Sequence, residues 1–159
     1  MPYDLSFKRI IQTDNQSALE SNKLLANVLI AAFPEINDLN ATNSSAHFSQ
    51  FEIDPEDEFL ERHFRLWAKL NEMNFGFEFW RDTLWIELGA AGNPNVRFEH
   101  VRRYSELIVQ HGFALSNVSD SEIIALEKGI EEHLQEYKEW TGFVRHVVYT
   151  IHSEPPATQ

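Results

Sequence analysis

Apolar Tyr3, Leu5 and Phe7 alternate with polar neighbours over residues 3–11. This predicts a first strand, because strand side chains point to opposite faces in turn. The period then changes. Thr13 or Asp14 can cap a helix running to about Phe33, with Ala18, Leu25, Val28, Leu29 and Ala32 facing inward. Pro34 ends that helix, since the residue before a proline avoids helical geometry. Residues 34–46 are polar and aperiodic and read as a loop, and 47–53 read as a second strand.

Asp54-Pro55-Glu56-Asp57-Glu58 predicts a helix start: Asp caps, Pro takes the first helical position, and acids complement the positive helix end. The periodicity carries this helix over 54–72, with Phe59, His63, Leu66, Trp67 and Leu70 on its inner stripe. Two strands follow at 75–80 and 83–88, joined by Arg81-Asp82 as a short hairpin turn. Residues 89–95, with Gly89, Gly92 and Pro94, form a loop. Asn95 is placed to cap a helix over 96–111 with Val101, Tyr104, Leu107 and Ile108 inward, stopped by Gly112. Residues 113–118 read as a short strand. Ser119 and Glu122 fit a capping box for a helix to about Trp140, with the stripe Ile123, Leu126, Ile130, Leu134 and Tyr137. Thr141-Gly142 closes it, and the β-branched run 143–152 predicts a last strand before a mobile tail at 153–159.

The predicted order is β-α-β-α-β-β-α-β-α-β: one α+β domain over 1–152, with a mixed sheet of about six strands and four helices. The 159 residues suit a single domain.

Charge narrows the function classes. Lys and Arg number 13 against 25 Asp and Glu, a net charge of -12. Such a chain repels phosphate backbones and anionic lipid, which argues against nucleic-acid and membrane partners and leaves a basic protein as the matching one. With no cysteine, disulfides, zinc-thiolate sites and cysteine nucleophiles are excluded. The start, Met-Pro-Tyr-Asp-Leu, lacks a signal pattern, and the longest apolar-rich run, 24–33, is interrupted by Asn27 and too short for a membrane span. The expected location is the cytoplasm.

Catalytic and metal motifs are missing from the sequence. The histidines at 47, 63, 100, 111, 133, 146 and 152 form no H-E-x-x-H, and there is no G-x-S-x-G, P-loop or dinucleotide fingerprint. No cofactor is implied. The hairpin is more informative. Phe75, Phe77, Phe79, Leu84, Ile86 and Leu88 share one face, which must be core. The other face carries Glu78, Trp80, Trp85 and Glu87. Indoles beside carboxylates suit a partner surface, while a second core layer with glutamates at its rim is the structural alternative. The acids Asp54, Glu56 and Asp57 are a second candidate contact, although Glu58–Arg62 and Glu61–Arg65 are spaced as local helix pairs. Glu127, Glu131, Glu132, Glu136 and Glu139 form an acidic helix face. Arg97, His100, Arg102 and Arg103 form a basic cluster that local pairs Glu99–Arg103 and Arg102–Glu106 can satisfy, or that could hold an anion with the amides of loop 89–95.

A compact acidic α/β chain without cysteine or catalytic motif resembles the small immunity proteins of bacterial toxin systems. The run from Val96 to Leu115 resembles their helix-then-strand element. That resemblance implies neutralisation of one toxin, often a basic nuclease, by tight binding. The expected function is therefore non-enzymatic masking of a basic protein partner. Trp80 and Trp85 would anchor, and Glu78, Glu87 and the 52–61 acids would steer. The alternatives are a small-molecule-binding domain or enzyme, with its site near Gly89 to Asn95 or on the Trp80/Trp85 face, and a homodimer that buries the tryptophan face against itself.

Overall fold

The computed structural model describes residues 3–39 and 62–153. Within them the chain runs β1 (Tyr3–Arg9), α1 (Asn15–Ala32), α2 (Pro34–Leu39), β2 (Arg62–Leu70), β3 (Met73–Trp80), β4 (Thr83–Leu88), α3 (Pro94–Gln110), β5 (Phe113–Leu115) and α4 (Leu126–Ser153). The five strands form one sheet in the order β2-β3-β4-β1-β5. Every pairing among them is antiparallel. The class is α+β, as the sequence predicts; the sheet of the described residues is antiparallel rather than mixed.

β2, β3 and β4 form a meander. The first turn places Asn71 at φ 54, the left-handed region that Asn tolerates better than most residues. The register sets Phe64, Leu66 and Ala68 of β2 against Phe79, Phe77 and Phe75 of β3, and Leu84, Ile86 and Leu88 follow on β4. With Leu5 and Phe7 of β1 these residues are almost completely buried and make the sheet side of the core. α3 lies on that face. Tyr104 meets the rings of Phe33, Phe75 and Phe77 at 4.7, 5.4 and 5.1 Å, edge to face. α1 adds Leu25 and Leu29, and α4 adds Ile130 and Tyr137.

The helix ends follow from side chains. Asp14 caps α1, accepting from the Ser17 amide at 2.8 Å. Asn93, not Asn95, caps α3, because Pro94 fills the first helical position behind it. Gly112 ends α3 at φ 91. In α4, Gly129 is required by close approach: a Cβ there would lie 2.6 Å from Leu115 Cδ2 and 2.8 Å from Ile124 Cγ2.

Several expected elements differ. The start of the predicted 34–46 loop is helical, Pro34 opening α2 after it ends α1. Residues 62–70 are a strand and not the end of a helix over 54–72; the paired edge of β3 outweighs a helical stripe that a short apolar run also fits. Within α1, Val28 is half-buried and Ala32 exposed. The proposed capping box at Ser119 and Glu122 is instead a turn around Asn117, whose Oδ1 accepts from the amides of Ser121 and Glu122, so α4 starts at Leu126 and leaves Ile123 exposed. α4 then runs through Thr141-Gly142, and 143–152 is helix rather than a last strand. Tyr137, Trp140, Val144 and Val147 keep helical spacing across that point, which overrides local β propensity. The strand expected at 47–53, the partner acids Asp54, Glu56 and Asp57, and the tail beyond Ser153 lie outside the described residues.

Candidate functional site

Strand alternation sends the other half of the sheet residues to the face opposite the helices. The register sets Arg65 of β2 opposite Glu78 of β3, Glu78 opposite Trp85 of β4, and Trp85 opposite Ser6 of β1. The next row is Trp67, Gly76, Glu87 and Asp4. The four hairpin residues singled out in the sequence, Glu78, Trp80, Trp85 and Glu87, thus share a face, and the structure adds Arg65, Trp67, Gly76, Asp4 and Ser6 to it. Trp67 is 41% exposed, and Trp80 and Trp85 are half-buried. The described helices pack on the phenylalanine side, so this surface is not a second helix-covered core layer among the described residues.

Its centre is built tightly. A Cβ on Gly76 would lie 3.0 Å from Trp67 Cζ3 and 3.2 Å from Glu87 Oε2, so the glycine is the floor on which an indole and a carboxyl both rest. The Arg65 guanidinium stands 4.6 Å from the Trp67 ring centre, donates to Glu87 Oε2 at 2.8 Å, and lies 3.8 Å from Glu78 Oε2. Arg62 is 3.7 Å from Glu78. Trp85 Nε1 donates to Thr83 Oγ1 at 3.1 Å. Arg62 and Arg65 therefore pair across strands with Glu78 and Glu87; Glu58 and Glu61, their expected helix partners, lie outside the described residues.

Burial, together with a hydrogen bond shared with Glu78, raises the Glu87 carboxyl to about 7, against the pull of Arg65. The Asp4 carboxyl is also raised, by burial first and then by Glu78. The Glu87 carboxyl thus exchanges its proton near neutrality.

Other predicted features have structural roles. The Gly89 to Asn95 loop turns its carbonyls inward: Arg97, wholly buried, donates to Asn74 and Ala91 carbonyls at 2.6 Å each, Tyr137 donates to Gly89, and Arg145 donates to Gly92 at 3.0 Å. The amides of Asn95, Val96 and Arg97 are bonded to Asn93. The loop therefore offers no free first-turn amides for an anion, and Arg97 acts as an internal clamp. Arg102 pairs with Glu127 of α4 rather than with Glu106, and Arg103 lies over Phe33.

His63 is buried and held neutral: Nε2 donates to Asn15 Oδ1 at 2.8 Å, and Nδ1 accepts from Asn22 at 2.9 Å. Burial, with Arg9 and Lys23 nearby, lowers it to about 4. His133 donates from Nε2 to the Ser116 carbonyl and accepts from Tyr3 Oη, tying α4 to β1. The described residues contain no cluster of three or more His, Asp or Glu arranged to hold a metal. No helix among them is long and apolar enough to cross a membrane.

An open cleft of about 360 Å³ lies elsewhere, lined by Arg9, Ile10, Ile11, Thr13, Ser17, Ser21, His111 and Gly112. Its Arg9 is committed to the Arg81 carbonyl, Ser21 and Asn22.

Sequence reasoning missed Trp67 and Arg65 because 62–70 was read at helical period. The signal was the alternation Arg65, Trp67, Lys69 against Leu66, Ala68, Leu70. Comparison with protein-family models, curated proteins and solved structures finds no match.

Proposed function

We propose that the chain is a non-enzymatic binding protein that docks its tryptophan-lined sheet face onto a basic protein and masks it, in the manner of an immunity protein acting on a toxin in the cytoplasm. The observation that supports this reading is the joint placement of Trp67, Trp80 and Trp85 with Glu78 and Glu87 on a face the described helices leave uncovered, in a chain of net charge -12. Tryptophans with part of their surface in water are the side chains that most often anchor protein interfaces. Carboxylates beside them suit a cationic partner. A small-molecule site has less support: the 360 Å³ cleft lacks a free charged group, and the Gly89 to Asn95 loop spends its polar atoms internally.

The test is capture on the immobilised chain at low and at high salt, wild type against Trp67→Ala/Trp85→Ala. The expected result is one basic protein, weakened by salt and bound at least about 30-fold less tightly by the double variant, as for anchoring residues. Captured proteins that are not basic, or that bind the variant equally, refute the reading. So does a wild-type dimer in light scattering that the double variant abolishes, because a second copy then occupies the face.

A further inference from the structure

The ionisable groups around Glu87 do not balance. From β1, Asp4 faces it, while Lys8 turns to Asp120 at 3.3 Å; from β3, Glu78 faces it; from β2, Arg62 and Arg65 stand against the two glutamates, and Lys69 lies farther along the strand opposite Asn74. Among the described residues three acids thus meet two bases, one positive charge short of balance. Among the described residues, three polar side-chain atoms on the same face are buried without a hydrogen-bond partner: Arg65 Nε, Trp80 Nε1, and the hydroxyl of Ser6, a residue 7% exposed that lies beside Trp85. A buried hydroxyl without a partner is costly until something bonds to it.

Resting on the masking reading above, we propose that the Glu78–Glu87 pair is the receptor for one arginine side chain of the basic partner. Arg65 shows the mode within the chain itself: its guanidinium stacks on Trp67 while donating to Glu87. A second guanidinium has Trp85 to stack on and two carboxylates and the Ser6 hydroxyl to donate to. A lysine ammonium lacks the planar fork and the stacking face, so arginine is the matching cation. On entry, the O–H bond of a protonated Glu87 breaks, its proton passes to water, and an N–H···O ion pair takes its place. The raised Glu87 carboxyl supports this, since it marks a site where one more cation is wanted at neutral pH.

The experiment uses the whole chain labelled with carbon-13 at Glu carboxyls and nitrogen-15 at Trp indoles, with N-acetyl-arginine amide as probe, N-acetyl-lysine amide as control, and ionic strength held constant. Expected are a Glu87 midpoint near 7 that falls when the arginine probe is added, shifts of the Trp67 and Trp85 indole signals, and affinity about tenfold higher at pH 8 than at pH 6, the ratio of ionised pair at those two values. Glu87→Gln should lose the pH dependence. Asp4→Asn, an isosteric change that leaves the pair intact, should lower the Glu87 midpoint and flatten the pH dependence. Affinity equal at the two pH values, equal for the lysine probe, or unaltered in both variants overturns the arginine receptor and leaves the masking reading standing, because capture of a basic partner is scored separately. PH-dependent arginine binding by a chain that captures no basic protein keeps the receptor and removes the masking reading.

Discussion

Glu87→Gln separates the charge of the buried carboxyl from its shape. In the folded chain this carboxyl is raised from 4.5 to about 7, first by burial and then by the hydrogen bond with Glu78. Between these two values the unfolded chain has released a proton that the folded chain still holds. The folded state binds more protons there, so this group's stabilising contribution is complete below 4.5 and is lost as pH rises through 7. At about 1.4 kcal/mol per pH unit separating the two states, the ceiling is about 3 kcal/mol. The Glu87 side chain keeps 16% of its surface in water and sits on an open face, and screening there brings the expected effect to about 1–2 kcal/mol. Glutamine cannot ionise but still accepts from Arg65. Urea unfolding of both proteins, followed by tryptophan fluorescence from about pH 5 to pH 8, reads the effect as a difference in which the other titrating groups cancel. Relative to the variant, the wild type should lose about 1–2 kcal/mol across that range. A difference that stays flat, or one in which the wild type gains stability with rising pH, would refute the account of the carboxyl pair.

Gly129→Ala should destabilise by about 1–3 kcal/mol in chemical denaturation although Ala is the better helix former, because its Cβ meets Leu115 and Ile124 at 2.6 and 2.8 Å; a stabilised variant would show that α4 and β5 do not pack this closely. Arg97→Met removes the clamp on the Asn74 and Ala91 carbonyls and should cost about 2–4 kcal/mol, with faster amide exchange concentrated in residues 89–93; unchanged exchange there would refute the clamp. The His63 imidazole should titrate near 4 by NMR. Because its folded value lies below the ordinary 6.5, stability is complete above 6.5 and is lost as pH falls toward 4, and His63→Gln should lessen this acid sensitivity; a midpoint above 6 would sink the buried network.

The legible parts of the fold are those where one pattern admits one geometry. In 75–88 strict alternation of large apolar residues on two facing segments leaves no helical solution, so both the core face and the tryptophan face follow from sequence. Phe33-Pro34 and Gly112 mark helix ends by backbone chemistry alone. Residues 62–70 failed because His63, Leu66, Trp67 and Leu70 fit a helical stripe as well as Phe64, Leu66 and Ala68 fit a strand. What decides between them is an unpaired β3 edge, a long-range fact. The run 143–152 failed for the converse reason: β-branched residues raised strand propensity, but the stripe from Tyr137 onward continues without interruption. The site suffered from the first error. With 62–70 read as helix, Arg65 and Trp67 could not be placed beside Glu87, and the raised Glu87 carboxyl depends on burial that no spacing rule reports.

The distribution of charge bears on how such a face could work. Among the described residues, the sheet face carries little of the net charge of -12. Among the described residues Asp4, Glu78 and Glu87 are set there against Arg62 and Arg65, with Lys8 turned to Asp120 and Lys69 farther along β2, whereas α4, packed on the far side of the sheet, carries Glu127, Glu131, Glu132, Glu136 and Glu139 against Lys128, Lys138 and Arg145. On the proposed reading, long-range attraction would belong to the overall charge of the chain and close anchoring to the sheet face. A docking face crowded with unpaired carboxylates would need to strip their water on every encounter, and that desolvation can exceed the attraction gained. Here most of that charge is already compensated inside the face by Arg62 and Arg65, leaving indole area to exclude water and a single outstanding charge to select what enters. On the proposed reading, the net acidity of the chain would raise the encounter rate of a basic molecule, and the sheet face would govern how slowly it leaves. Salt should then act chiefly on association, and substitution of Trp67 or Trp85 on release. This separation is what a masking protein requires: attraction without selectivity would capture any cation, and a selective face without attraction would find its partner too slowly.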